Sequence, residues 1–281
     1  MTRSAGSMEI SLFTHVIDQV KDYIETIDLD LFGEFEFNPQ WAELIRYCSE
    51  RNLFTVLNTN ATMMDEDISR RLINSGLNFL NISFDSSNPE LYERIRKGAD
   101  FDKTLRNIRH FLSVNKKIYT VIQMIHTTET DKEIRSYLDF WKNSGADAVR
   151  IKKYIPFDPD TDRLDPEIDA VKKKSKKNAS CLYLWKSLVV TQDGTVVPCC
   201  VDFDNINKLG DACKESIADI WNGKPMQSLR KAHAEGKSVE IKLCSHCRPL
   251  TASLPMMIAG ALADDPMRRK IMPFVEKWLG V

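Results

Sequence analysis

The sequence predicts an α/β chain: a parallel sheet of βα units curved into a partial barrel, followed by a small cysteine-rich domain. Three observations carry this. Over the first 155 residues, apolar strand-like runs alternate with capped segments of helical period. Those strands keep one polar parity: Asp28 and Asp30, Asn58, Asn81 with Ser83 and Asp85, Gln123, and Arg150 with Lys152. The last third changes to short hairpin strands and gathers every cysteine except Cys48. A parallel sheet covered on both faces has continuous apolar strands, so a polar face points to a curved sheet with a wet lumen. The C-terminal strand ends of such a lumen are the default ligand site.

In order along the chain, "MEISLFTHVIDQVKDYIETI" reads as a helix with Leu12, Phe13, Val16, Ile17, Val20, Tyr23 and Ile24 on one face. No strand precedes it, so the barrel is expected to lack its first strand, which leaves the next one with an unpaired edge. Strands are expected at Ile27 to Phe32, Leu53 to Thr59, Phe79 to Phe84, Ile118 to Ile125 and Ala148 to Ile155. Asn38-Pro39 and Asn88-Pro89 read as N-cap and first-turn pairs. Thr130 with Glu133 reads as a capping box before "IRSYLDFW", and Gly76 and Gly145 stand where helix C-caps belong. Cys48, beside Leu44 and Ile45, reads as a small core residue.

The basic run "KKKSKK", Lys172 to Lys177, reads as a solvated linker rather than a binding patch. Beyond it, "CLYLWKSLVVTQDGTVVPCC" gives two strands around an Asp193-Gly194 turn, and "KESIADIWN" and "MQSLRKAHAEG" give helices. The C-terminal "MRRKIMPFVEKWLG" reads as an amphipathic packing helix or cap rather than a membrane anchor. The expected boundaries are 1–170 for the barrel, 171–180 for the linker, 181–250 for the cysteine-rich domain and 251–281 for the last helix.

With 281 residues, 43% of them hydrophobic, the chain can bury a substantial core. A net charge of −1 speaks against nucleic acid or a membrane surface as partner. The weakly polar run "SLPMMIAGALA" is too short and Pro-broken to span a bilayer, so a cytoplasmic location is expected. Seven cysteines in that setting point to metal or redox chemistry rather than a disulfide framework.

Five of them form a pattern. Cys181 is followed by twelve residues, Gly194, four residues and Cys199; Cys200 adjoins, and Cys244-x-x-Cys247 follows downstream. Four soft thiolates brought together this way suit Zn²⁺ or an iron–sulfur cluster. A zinc ribbon usually offers two matched C-x-x-C knuckles, whereas here the first pair is split by a hairpin. Cys213 reads as a buried bystander.

The arrangement C-x12-G-x4-C with a later C-x-x-C resembles the SPASM domain, the auxiliary-cluster extension of radical S-adenosylmethionine (SAM) enzymes. The preceding region is similar to their core: "LFGEFEFNP" resembles the "GGEP" motif, "LNTNAT" the "TNGT" motif, and "ISFDSSNPELYERIRKG" the stretch after the fourth strand. The resemblance covers residues 4 to about 248, with Phe32 and Phe35 standing where the family has Gly and Pro.

It implies a partial (β/α)6 barrel in which the backbone near Phe32 and Gly33 and the Glu34 carboxylate hold the SAM amino group through a charge-assisted hydrogen bond. The motif match also brings in Asn60. Ser83 or Asp85 would face the ribose hydroxyls, with Gln123 and Lys152 as further SAM contacts. Cys181, Cys199, Cys244 and Cys247 would ligate one auxiliary [4Fe-4S] cluster, with Cys200 the alternative to Cys199. No cysteine follows Cys247, so a second auxiliary cluster is not expected.

The family's C-x3-C-x2-C, which holds the SAM-reducing cluster, does not occur in the 281 residues. Because "AGSMEISLFTHVID" resembles the helix start that follows that motif, the chain is expected to be a fragment or to have a misassigned start. By the resemblance, the full-length form cleaves SAM to a 5′-deoxyadenosyl radical that abstracts hydrogen from a peptide or small-molecule substrate. A ferredoxin or flavodoxin is the implied redox partner. The alternative is a non-catalytic 4Fe-4S or zinc protein. No catalytic residue is assigned.

Overall fold

Successive βα units set the architecture of the first region. The computed structural model describes residues 4–30, 33–154, 164, 181, 183–245 and 247. By contacts the chain divides into two units, residues 24–154 with 255–281 and residues 1–23 with 155–254.

The sheet unit contains β1 (Thr26–Asp28), β2 (Phe54–Thr59), β3 (Phe79–Ser83), β4 (Tyr119–His126) and β5 (Ala148–Lys153), all parallel and in sequential order. Right-handed crossovers between strands in sequential order place every connecting helix on the same face. That face holds the core. Leu57 of β2, Leu80 and Ile82 of β3, and Ile122 and Met124 of β4 pack with Ile45, Leu72, Ile108, Phe111, Tyr137 and Trp141 from the intervening helices. Those helices are α2 (Trp41–Ser49), α3 (Glu66–Ile73), α4 (Pro89–Ile95), α5 (Phe101–Val114) and α6 (Ile134–Trp141).

The opposite parity is the polar one. Asn58 stands opposite Asn81 across β2 and β3, Ser83 opposite Gln123, and Gln123 opposite Arg150. The alternation in β2, where 55, 57 and 59 are buried and 54, 56 and 58 are not, marks the two faces directly.

Asn88 and Pro89 do what the sequence suggests: the Asn88 side chain accepts the Leu91 N–H at 3.0 Å and Pro89 opens α4. Asp65 and Asp100 cap α3 and α5 in the same manner.

Several expectations are corrected. β1 ends at Asp28 rather than running to residue 32, and Leu31 and Phe32 lie outside the described residues. Asn38 caps the turn before α2, accepting the Gln40 N–H at 2.9 Å, and the helix itself starts at Trp41. Thr130 forms no capping box with Glu133; its hydroxyl donates to Ile125 O and accepts the Thr127 N–H, locking the turn after β4. The linker run and the C-terminal helix lie outside the described residues.

The cysteine-rich unit contains α1 (Ile10–Val20), α7 (Tyr183–Lys186), the antiparallel strands β6 (Val189–Val190), β7 (Thr195–Val197) and β8 (Gly210–Asp211), then α8 (Ile217–Asn222), α9 (Lys224–Ala234) and α10 (Lys242–Ser245). Its core is Leu184, Val196, Leu209, Ala212, Ile217, Ile220 and Met226, against which Leu12, Val16 and Val20 of α1 pack. Gln19 completes that contact by accepting the Ile217 N–H at 2.8 Å. α1 stops at Val20, so Tyr23 leaves the expected apolar face and is 88% exposed.

Gly194 closes the β6–β7 turn at φ +85°, a conformation side chains resist, and a Cβ there would stand 2.6 Å from Cys213 Sγ. Cys213 is therefore exposed rather than buried: its thiol lies over the turn and donates to Asp193 O at 3.8 Å. Cys48 is fully buried, as expected. No helix among the described residues is long and apolar enough to cross a membrane.

Candidate functional site

Two constellations emerge, one in each unit. In the first, the segment after β1 meets the C-terminal end of β2. Glu34 Oε2 accepts the Thr59 hydroxyl at 2.8 Å and the Asn60 N–H at 3.0 Å. Among the described residues nothing hydrogen-bonds to Oε1. Burial raises the Glu34 pKa, against the pull of the Asn60 N–H, the Thr59 hydroxyl and the Arg96 charge. Gly33, just before it, has φ +124°, and a Cβ placed there would meet nothing within 4 Å, so the backbone conformation rather than crowding calls for glycine.

Two further carboxyls stand nearby. Asp30 accepts the Asn58 N–H at 2.8 Å and its side-chain amide at 3.2 Å, and burial pushes its pKa up to about 7, with the neighbouring Asp28 and Glu34 charges adding. Among the described residues both carboxylate oxygens of Glu36 are buried without a well-formed hydrogen bond, and burial, with the Glu34 charge adding and its own N–H and the Thr59 hydroxyl opposing, raises it to about 7. Three acids crowded at one strand end, two of them held near neutrality, form a site short of positive charge.

The other expected contacts are distributed differently. The Asn60 side chain is spent on its own turn, accepting the Thr62 N–H and hydroxyl, so only its backbone serves Glu34. Ser83 Oγ accepts from Gln123 Nε2 at 3.1 Å, joining two expected residues on the polar face. Asp85 is 5% exposed; one oxygen takes Arg96 Nε and Nη2, both at 2.7 Å, and the other takes the Ile125 N–H at 2.9 Å. Its carboxylate is fully engaged. Lys152 is exposed at the end of β5, and its charge acts on Asp28. Sequence reasoning missed Thr59, Asp30, Glu36 and Arg96, although Arg96 falls within the quoted "RIRKG".

In the second constellation, Cys181, Cys199, Cys200, Cys244 and Cys247 are all partly buried. Their thiols act on one another: Cys200 and Cys247 on Cys199, Cys247 and Cys181 on Cys244, and Cys181 and Cys200 on Cys247. Burial pushes Cys199 and Cys244 up to about 12 and Cys247 to about 11, with these neighbours adding. Burial also raises Cys181, while the N–H groups of Tyr183 and Leu184 oppose it; those of Val201 and Asp202 do the same for Cys199. Such N–H groups aimed at sulfur stabilise a thiolate and tune an iron–sulfur cluster.

The local folds that bring these thiols together are small turns. The Asp202 N–H bonds to Cys199 O, and the buried Asp202 carboxylate accepts the N–H groups of Ile206 and Asn207, both at 2.7 Å. The Cys247 N–H returns to Cys244 O at 3.3 Å, forming the knuckle. Among the described residues no three Cys, His, Asp or Glu side chains form a ready single-ion shell, in which each sulfur would stand about 2.3 Å from a zinc ion. Five soft sulfurs, each coupled to at least one other, are the donor chemistry of an iron–sulfur cluster, whose ligands stand farther apart than those of a single ion.

Residues 14–140 match the family model of the radical SAM superfamily, and residues 181–248 match SPASM, described as an iron-sulfur cluster-binding domain. The chain carries a radical SAM region followed by a SPASM domain. The radical SAM match covers the last seven residues of α1 and the sheet unit through β4 and most of α6; the SPASM match covers all five patterned cysteines.

Among curated relatives, the S-adenosyl-L-methionine-dependent 2-deoxy-scyllo-inosamine dehydrogenase of Niallia circulans is 35% identical over 80 residues, 28% of this chain and 32% of that protein. The tungsten-containing aldehyde ferredoxin oxidoreductase cofactor-modifying protein of Pyrococcus furiosus is 21% identical over 262 residues, 78% of this chain and 74% of that one. The match thus spans about a third of the first relative and three quarters of the second. Among solved structures, SuiB of Streptococcus suis superposes with a TM-score of 0.66 at 16% identity, over 90% of this chain and 72% of that one. It has also been solved bound to S-adenosylmethionine and to its precursor peptide SuiA. At this identity the likeness is one of fold.

Proposed function

We propose that this chain carries the SAM-binding and auxiliary-cluster sites of a radical SAM/SPASM enzyme that acts on a peptide or a small molecule. The reading takes the sheet as part of a (β/α)6 barrel within residues 1–170, of which residues 1–23 fall by contacts in the other unit, followed by a linker 171–180, the SPASM domain 181–250 and a last helix, 251–281. The observation that carries it is Glu34: a carboxylate fixed through one oxygen at the C-terminal end of β2, with the other oxygen unbonded among the described residues and extra acids beside it. An ammonium group is the ligand such a site lacks.

When bound and reduced, SAM supplies a 5′-deoxyadenosyl radical for hydrogen abstraction. The residues of this chain bind and orient. Glu34 accepts the amino group through Oε1, while Thr59 and the Asn60 N–H keep its other oxygen from turning away. The Ser83 hydroxyl, backed by Gln123, serves the ribose; Asp85 instead braces β3 against β4 and α4 through Arg96 and the Ile125 N–H. Gln123 and Lys152 remain further SAM contacts in this reading. Cys181, Cys244, Cys247 and one of Cys199 and Cys200 hold one [4Fe-4S] cluster, and a ferredoxin or flavodoxin is the redox partner.

The SAM-bound SuiB structure and the SAM dependence of the dehydrogenase support the cofactor; SuiA and 2-deoxy-scyllo-inosamine support the two substrate classes. The seven cysteines of these 281 residues include no C-x3-C-x2-C, so SAM binding rather than SAM cleavage is the measurement that tests this reading.

Anaerobic reconstitution with iron and sulfide, followed by calorimetric titration with SAM, tests this. About four irons per chain are expected. Glu34→Gln should weaken SAM binding roughly 10- to 100-fold, the value of one hydrogen bond to a charged group. One zinc per chain in place of iron, or equal SAM affinity in wild type and variant, would overturn the proposal.

A further inference from the structure

α9 carries two polar side chains that nothing above uses. Arg230 and His233 are one turn apart and so share a face. Arg230 Nε donates to Leu184 O at 2.8 Å and Nη1 to Trp221 O at 2.9 Å, and its guanidinium carbon stands 4.2 Å from the Trp221 ring centroid. Its Nη2 is buried with no hydrogen-bond partner, and no carboxylate pairs with it among the described residues. His233 is 3% exposed, and its Nδ1 accepts the Cys181 N–H at 3.2 Å. The two side chains therefore hold Cys181 and Leu184, the first cysteine and a residue whose N–H faces its thiol.

Arg230 is only half-buried, but among the described residues its Nη2 is out of solvent and meets no acceptor, a donor whose desolvation is uncompensated. Carbonyl oxygens and an indole face soften that cost but do not neutralise it. A [4Fe-4S] cluster held by four thiolates is net negative in either redox state, and Arg230 reaches the short helix that follows Cys181, one of its expected ligands. Positive charge beside it stabilises the reduced state over the oxidised one.

We infer that Arg230 and His233 are positioning residues for the Cys181 ligand loop, and that Arg230 is a countercharge that raises the reduction potential of the auxiliary cluster. The inference rests on the cluster reading above. His233 acts through the backbone: as acceptor for the Cys181 N–H it fixes the direction from which that sulfur reaches the iron. In the neutral ring this requires the proton on Nε2.

The experiment is a redox titration of the reconstituted full chain, followed by the electron paramagnetic resonance of the reduced cluster, with iron content measured in every sample. Arg230→Gln should lower the ratio of reduced to oxidised cluster about tenfold at a fixed potential, a shift of about 59 mV to the negative for one electron. Arg230→Lys, which keeps the charge and loses the fork, should recover most of that shift. His233→Leu should change the resonance line shape, and His233→Asn, which restores an acceptor, should bring it back. Should Arg230→Gln prevent iron loading, the potential is compared between wild type and Arg230→Lys with Arg230→Met as the neutral variant.

A loaded wild type with unchanged potential in the neutral variants overturns the countercharge. Unchanged line shape in His233→Leu overturns the positioning role. A wild type that takes up no iron–sulfur cluster overturns the underlying reading instead, and its zinc and iron content tells the two failures apart.

Discussion

The two units of this chain are held together in different ways. Among the described residues the core cluster of the sheet unit holds twenty-three buried side chains, and its central strands run five to eight residues. The core cluster of the cysteine-rich unit holds seven, and its strands run two or three residues. Small domains bury too little apolar surface to offset chain entropy unaided, and metals or disulfides commonly make up the difference. The sheet unit's core is therefore expected to stand by itself, whereas the cysteine-rich unit is expected to need a bound cluster to fold.

The largest predicted effect follows directly. Cys181→Ala combined with Cys247→Ala should abolish iron loading. Amide hydrogen exchange should then show protection lost across residues 183–245 and kept in β2 to β5. Equal protection of the cysteine-rich unit with and without iron would mean that the two units do not differ in kind.

The converse substitution lies in the sheet unit. Arg96→Leu leaves Asp85 buried with one oxygen unpaired, where its side chain is 7% exposed. Breaking such a pair destabilises by about 3–5 kcal/mol, read as a lower denaturant midpoint at unchanged slope. Iron content should stay as in wild type. A loss of iron in Arg96→Leu would show that the two units do not fail separately.

What was legible in the sequence divides along the same line. All five strands and their polar parity could be read, because a residue's face in a strand follows from its position alone. The Asn88 cap was legible for a similar reason, being a contact over three residues. The Thr130 capping box failed because a nearer competitor, the turn between Ile125 and Thr130, takes the hydroxyl. The partners of Glu34 and Asp85 were not legible: Thr59 lies 25 residues from Glu34 and Arg96 lies 11 from Asp85, and no periodicity links them. The cysteine pattern announced itself by spacing, whereas Arg230 and His233 reach the Cys181 loop across 46 and 52 residues and leave no mark on it.

A smaller effect separates backbone from packing within the cysteine-rich unit. Gly194→Ala forces a side chain to φ +85° and into Cys213 Sγ. The backbone part costs about 1–2 kcal/mol. Adding Cys213→Ala removes the sulfur, so the double variant should recover the excess over that value in a double-mutant cycle. No recovery would assign the whole effect to the backbone.

The smallest effect is the response to pH, which should separate the acids beside Glu34 from the Asp193 turn. Asp30 and Glu36 have pKa values raised by burial to about 7 from ordinary values of 3.8 and 4.5. Each binds its proton more tightly folded than unfolded, so its contribution is fully present below the unfolded value and is lost as pH rises through about 7. In the cysteine-rich unit Asp193 is held below 3.8, chiefly by the Thr191 hydroxyl, so its contribution is present above that value and lost only as pH falls through its lowered pKa. Without ligand, the sheet unit should therefore melt earlier at pH about 8 than at pH about 5, while the Asp193 turn is indifferent over that window. Asp30→Asn and Glu36→Gln should each flatten the melting profile of the sheet unit, as followed by hydrogen exchange or circular dichroism. A bound ammonium group supplies the positive charge these acids lack, so saturating SAM should flatten it as well, and Glu34→Gln should remove that protection. A wild-type profile already flat between those two values would show that the acids at the end of β2 are not held near neutrality.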